Sequence, residues 1–322
     1  MYSTEDLLFK FCEHLKVLNR SPATIEGYAN ETRHFLKSVD AKDVRQVTTS
    51  VIKAWIAGLY DYRTKENKPY STSTICVKIR AVKRFFEYLE SVNIVFIDPA
   101  EPVKEPKKAQ RLKPTLSAQE INALLEQPNL ATLLGIRDRA IMELFYSTGI
   151  RKAELCNLTI YDADLTGGML RINQGKGKKD RVVPMGRHAV RFLREYITRV
   201  RPHYAKKHPA NRYLMVDRFG RRMRRQTVRV MIRKYADQAG LKGNVGPHLF
   251  RHAFATGLLK NGADIVAVQK MLGHTRIGTT QIYIRSLGLD MKKVHQKTHP
   301  REQDTISRKA IKPHITRRNP RE

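Results

Sequence analysis

The stretch Val245–Tyr283 reads VGPHLFRHAFATGLLKNGADIVAVQKMLGHTRIGTTQIY. Its apolar spacing predicts a helix over Leu249–Leu259, a turn and cap at Gly262-Ala263-Asp264, and a second helix over Ile265–Leu272 ended by Gly273. A third helical run, Thr279–Leu287, carries Tyr283. Four chemically distinct side chains lie along these elements: His248, Arg251, His274 and Tyr283. A guanidinium matches phosphate oxygens as a bidentate fork. An imidazole donates a hydrogen bond or moves a proton near neutral pH, and a phenol can act as a covalent nucleophile. Together they suit a phosphodiester site that uses no metal. Taken alone, a tyrosine between Ile282 and Ile284 is a packing residue, and only the constellation argues for reactivity. His248 and His252 stand four apart, a zinc-like spacing. With no glutamate between them and no third ligand in view, no metal is expected and His252 reads as structural.

Upstream, Leu133–Thr148 reads as an apolar helix running into Gly149, followed at once by Arg151 and Glu154, one helical turn apart. By itself that pair is a surface ion pair. Beside the later residues, Arg151 reads as a phosphate clamp and Glu154 as the carboxylate that orients it. Leu158–Asp164 and Met169–Asn173 are predicted strands joined by Thr166-Gly167-Gly168, and Arg181–Pro184 a third. The turn Gln174–Asp180 places Lys176, Lys178 and Lys179 at a hairpin tip, which could be simply solvated.

The chain resembles the tyrosine recombinases, closest to their Xer-type and phage-integrase branch. The resemblance rests on His248-Leu249-Phe250-Arg251, on Leu272-Gly273-His274, and on Tyr283 nine residues further. It extends through Thr148–Leu155 with Arg151 and through Gly175–Arg181 with Lys176, and covers roughly residues 1–300. A lone H-x-x-R would be weak evidence; five ordered elements are strong. The resemblance implies a mainly α fold with a small antiparallel β-sheet: an all-α, SAM-like core-binding domain and a recombinase catalytic domain. It implies Tyr283 as nucleophile, Arg151, Arg251, His248 and His274 on the phosphate, and Lys176 as the acid, in preference to Lys178 and Lys179. No cofactor is implied. The partners implied are a double-stranded DNA target site and other protomers, as a tetramer on two sites. A paralogous recombinase or an accessory protein is a further partner this kinship admits. A type IB-like topoisomerase, or an architectural DNA-binding protein with a decayed site, are the alternative readings. The intact residue set counts against decay.

Charge supports a polyanionic partner. Lysine and arginine total 61 against 30 acidic residues, a net of +31. Residues 1–100 hold 15 basic and 12 acidic residues, whereas the remainder holds 46 and 18. Each phosphate neutralised releases condensed counterions, which is why excess cations read as nucleic-acid binding. Arg218, Arg221, Arg222, Arg224 and Arg225 form the densest cluster, leading into a predicted helix over Gln226–Ala239. Non-specific phosphate contact is its simplest role. No apolar run approaches a membrane span, and the N-terminus is acidic where a signal peptide is basic. Cys12, Cys76 and Cys156 lack metal spacing and read as reduced core residues. A cytoplasmic, nucleoid-associated protein is expected.

The N-terminal part predicts four helices, near 3–20, after Ser21-Pro22, over Thr49–Asp61 and over Ser73–Glu90. In the fourth, Ile75, Ile79, Val82, Phe86 and Leu89 form the core stripe, leaving Lys78, Arg80, Lys83 and Arg84 off it. These four are expected at DNA, against the plainer reading of a solvated face. Pro99, Pro102, Pro106 and Pro114, with interleaved lysines, predict an extended connector. The domains expected are thus 1–98 for the helical DNA-binding part, 99–116 for the linker and 117–300 for catalysis. A basic tail, 301–322, is too poor in apolar residues to form a core and is expected to be disordered in isolation. Ser117 and Glu120 predict a capping box opening the catalytic part. Another helix is predicted over Ala189–Arg201. By the resemblance, Leu289, Met291 and Val294 would dock on a neighbouring protomer.

Overall fold

A computed structural model describes residues 3–64, 66–107, 115–173 and 180–273. The chain divides into two compact units, Met1–Arg111 and Leu112–Glu322.

Four helices build the first unit: α1 (Thr4–Val17), α2 (Pro22–Ser38), α3 (Thr49–Asp61) and α4 (Thr72–Ser91). Each begins where a hydroxyl can take up an orphan backbone N–H. Ser3, Ser21, Thr48 and Ser71 accept from the third residue onward, and Pro22 follows its cap in the first turn. The stripe on α4 is buried as its spacing predicts, and Phe85 joins it. Phe11 meets Phe85 edge to face at 5.4 Å, and Trp55 meets Phe35 at 4.8 Å. These aromatic contacts fix how α1 and α3 lie on the α2–α4 pair.

Residues 99–107, read from sequence as part of an extended connector, instead pack back on α4. Ala100 and Val103 are buried in the helical core. Lys83 donates to the carbonyls of Glu101 and Val103 at 3.0 and 2.8 Å, and Arg80 Nε donates to Glu105 at 3.1 Å. Proline forbids helix here but not packing, and the α4 cations tie the segment down.

The second unit is built around α6 (Leu133–Thr148), packed by α8 (Arg187–Glu195) and α11 (Pro247–Lys260). α5 (Ala118–Glu126) opens the unit with the reciprocal Ser117–Glu120 capping box. α7 (Lys152–Asn157), α9 (Arg201–Ala205), α10 (Arg225–Gln238) and α12 (Ile265–Leu272) complete its described helices. A three-stranded antiparallel sheet, β1 (Ala163–Asp164), β2 (Met169–Ile172) and β3 (Arg181–Pro184), lies in sequence order. Leu170 pairs with Val183 and Ile172 with Arg181, so Leu170, Ile172 and Val183 face the core together.

Two predicted elements differ. The expected strand Leu158–Asp164 is reduced to two residues by a 3₁₀ turn, Ile160–Asp162. The Asp162 carboxylate accepts from the Thr159 N–H and hydroxyl, at 2.7 and 2.8 Å, which holds that turn closed. The expected helix Ala189–Arg201 breaks into α8, a π-turn over Tyr196–Val200, and α9. Pro202 has no N–H for the carbonyl four residues back, so the helix widens before it. Among the described residues no helix is long and apolar enough to cross a membrane.

Candidate active site

The site is assembled at the end of α12. Asp264 caps the start of that helix, and Gly273 ends it in a left-handed conformation at φ 61°. Its last carbonyls therefore emerge without a continuing turn to receive them. Three guanidiniums take them in succession. Arg181 Nε donates to the Met271 carbonyl at 2.8 Å, Arg251 Nη2 to Leu272 at 2.6 Å, and Arg151 Nη2 to Gly273 at 3.0 Å.

Each arginine arrives on a different element. Arg251 lies on α11, 5% exposed, and its Nη1 also donates to the Gly149 carbonyl at 2.7 Å. Gly149 closes α6 at φ 60°, where a β-carbon would collide with the Phe254 ring. Only glycine fits a turn that must be both left-handed and this close. The turn brings Arg151 to the N-cap of α7. Arg181 opens β3.

Glu154 joins two of the three. Its Oε1 accepts from Arg151 Nη1 at 2.7 Å and from Arg181 Nη1 at 3.0 Å. Its Oε2 accepts from the Arg151 backbone N–H at 2.7 Å and from Arg181 Nη2 at 2.8 Å. Glu154 is buried, which works to raise its pKa. The hydrogen bonds from Arg181 and from the Arg151 backbone outweigh that, and with the charge of Arg181 they hold the carboxyl at about 2, below its ordinary 4.5. The ion pair read from the sequence is real, but it is a buried three-way junction. Two guanidinium charges against one carboxylate leave the Arg151–Glu154–Arg181 group net positive, a setting suited to an anion.

His248 lies exposed in the first turn of α11, and His252 is buried one turn further. Among the described residues no group of three or more His, Cys, Asp or Glu could hold a metal. Lys176, Lys178, Lys179, His274 and Tyr283 lie outside the described residues, as does everything after them, including Leu289, Met291, Val294 and the tail. Arg181 is the residue that sequence reading passed over. Its one signal was its position directly after the lysine-rich turn, as the first residue of the predicted strand Arg181–Pro184.

The other expected DNA contacts separate into groups. Lys78 is buried rather than facing outward, 2.6 Å from Glu31 and over the Tyr70 ring. The α4 stripe spreads wide enough to enclose its stem. Arg80 and Lys83 hold the 99–107 segment, and Arg84 pairs with Glu87 at 2.5 Å. Arg222 donates to the Cys156 carbonyl at 2.9 Å, bonds Asn157, and stacks on Tyr213. It ties α7 to the loop before α10. Arg221, Arg224 and Arg225 are exposed, the last two at the start of α10.

Comparison with known proteins shows the family and the fold. Residues 114–288 match the phage integrase family, and residues 8–93 match the phage integrase N-terminal SAM-like domain. The tyrosine recombinase XerD of Listeria monocytogenes serotype 4b is 33% identical over 92% of this chain and 99% of its own length. The crystal structure of the XerH site-specific recombinase, in a post-cleavage complex on palindromic difH substrate, has the same fold. Its TM-score is 0.69 at 22% identity, covering 92% of this chain and 84% of that one. A λ integrase tetramer bound to a Holliday junction aligns with TM-score 0.67 at 17% identity, covering 88% and 77%. The chain belongs to the phage integrase family. It is a tyrosine recombinase, an enzyme that cleaves and rejoins DNA at specific sites through a tyrosine intermediate.

Proposed function

We propose that Tyr283 attacks a scissile phosphate of double-stranded DNA, forming a 3′-phosphotyrosyl link and freeing a 5′-hydroxyl. Arg151 and Arg251 meet the non-bridging oxygens as charge develops on the phosphorane, with His248 and His274 as further donors. Preorganised donors of this kind are worth about 3–4 kcal/mol apiece. Among the described residues Arg151 commits two of its five side-chain N–H groups, to Glu154 and Gly273, which leaves the guanidinium able to take a phosphate. Lys176 protonates the leaving 5′-oxygen. A partner strand's 5′-hydroxyl then attacks the phosphotyrosine. One phosphodiester is exchanged for another, so no cofactor or nucleotide hydrolysis is needed.

The observation that carries this reading is the convergence of Arg151 and Arg251 on the end of α12, one residue before His274 and ten before Tyr283. Arg221, Arg224 and Arg225 contact backbone phosphates. Four protomers assemble on two sites, a reading supported by the λ integrase tetramer bound to a Holliday junction, with a paralogous recombinase or an accessory protein as a further component. The segment with Leu289, Met291 and Val294 docks on the neighbouring protomer. The protein works in the cytoplasm, on the nucleoid. We assign residues 1–98 to DNA clamping, 117–300 to catalysis and 301–322 to charge contacts with the DNA backbone or with a neighbouring protomer.

Covalent trapping on genomic fragments, followed by sequencing of the attached DNA, tests the reading and supplies the target site. A discrete site attached through Tyr283 is expected. The Tyr283→Phe variant should bind DNA within a few-fold of wild type and give no adduct. An adduct of normal yield from that variant overturns the nucleophile assignment.

A further inference from the structure

We propose that Arg181 is a positioning residue for the cleavage step, acting through Arg151. The inference rests on the reading in which Arg151 receives the scissile phosphate. Three observations support it. Arg181 makes a fork on Glu154, Nη1 to Oε1 and Nη2 to Oε2, at 3.0 and 2.8 Å. The same carboxylate holds Arg151 by its side chain and by its backbone N–H. Arg181 Nε reaches the Met271 carbonyl, two residues before the carbonyl that Arg151 takes. One planar group thus fixes both the carboxylate that orients Arg151 and the helix end that supplies Arg151's other acceptor.

Without Arg181, Glu154 has only Arg151 to answer it among the described residues. A carboxylate with one guanidinium near it draws that guanidinium into a bidentate pair and turns it from its second acceptor. Gly273 explains how Arg181 is admitted to this spot. A β-carbon there would sit 3.0 Å from Arg181 Nη1 and 3.1 Å from its Cδ, so the glycine both ends α12 and leaves room for the guanidinium. Lysine cannot substitute fully, because a single ammonium cannot span two carboxylate oxygens and a carbonyl in one plane. The Arg181 side chain is only 10% exposed, so its effect on DNA passes through its neighbours.

The test uses the full chain and a nicked suicide duplex carrying the trapped site, with either an ordinary scissile phosphate or a methylphosphonate there. The methyl group removes the charge that Arg151 must meet. Arg181→Gln and Arg181→Lys are compared with Arg151→Ala, with thermal melting and duplex affinity measured alongside. Displacing a catalytic group by an ångström costs about 100-fold in rate. Arg181→Gln is expected to slow adduct formation on phosphate by that order, with duplex affinity within a few-fold of wild type. On methylphosphonate the penalty should shrink to a few-fold, as for Arg151→Ala. Arg181→Lys should melt near wild type and recover only part of the rate on phosphate, which keeps the test decisive if the glutamine variant does not fold. Equal penalties on the two substrates, or wild-type cleavage by both variants, overturn the role of Arg181 alone. Failure of the wild-type chain to form an adduct on either duplex overturns the recombinase chemistry beneath it.

Discussion

On α4, each cation has its own partner: Lys78 has Glu31, Arg80 has Glu105, Lys83 has two carbonyls and Arg84 has Glu87. Around Glu154, two guanidiniums share one carboxylate, and three close one helix end. The residue types are the same, and the stoichiometry differs. Three of the four α4 cations are balanced one to one by a carboxylate, and such pairs hold a fold together and attract a polyanion weakly. Two buried or half-buried guanidiniums on one carboxylate keep a net positive charge where a phosphate can reach it.

The largest test of that contrast is Glu154→Ala. Removing one member of a buried ion group costs about 3–5 kcal/mol, because the remaining charges keep their desolvation penalty. Urea denaturation at neutral pH would measure it; a loss below about 1 kcal/mol would mean the junction is not a structural keystone. The same carboxyl predicts a pH dependence. Its pKa is lower folded than unfolded, so its contribution is complete above about 4.5 and is lost as pH falls toward about 2. Glu154→Gln should flatten that part of the acid-side stability slope, and an unchanged slope would contradict the buried geometry.

Next in size is Gly149→Ala, which forces an L-residue into the left-handed region and drives a methyl into Phe254. A cost of about 2–4 kcal/mol is expected from strain and overpacking together. Cleavage by this variant should fall more than DNA binding, because Arg251 hangs from the Gly149 carbonyl. Equal losses in both would separate the turn from the chemistry.

Smaller still is the double change Arg224→Ala with Arg225→Ala. Taking away two cations that each neutralise a phosphate should reduce the salt slope of DNA binding by about 2. Gel shifts across a salt series would decide, and an unaltered slope would return these arginines to the solvated surface. The smallest effect belongs to Arg84→Ala. Its partner is as exposed as itself, and such pairs contribute under about 0.5 kcal/mol. A loss above about 1 kcal/mol would blur the distinction drawn between α4 and the Glu154 junction.

Local rules carried much of the architecture. The hydroxyl caps at Ser3, Ser21, Ser71 and Ser117 start helices where the sequence places them, and Gly149 and Gly273 stop them. Those signals depend on contacts within one turn, so sequence order is enough to read them. The ion pair of Arg151 and Glu154 is legible for the same reason, being three residues apart. Arg181 is 27 residues from Glu154 and 90 from Met271, and no periodicity links those positions. Whether Lys78 faces DNA or a half-buried glutamate, and whether 99–107 hangs free or packs, likewise depended on partners distant in the chain. Sequence alone determined which residue types were present and where most helices began and ended. Tertiary structure decided which cations share a carboxylate, because charge neutralisation is settled by proximity in space, and the chain brings α7, β3 and α12 together only on folding.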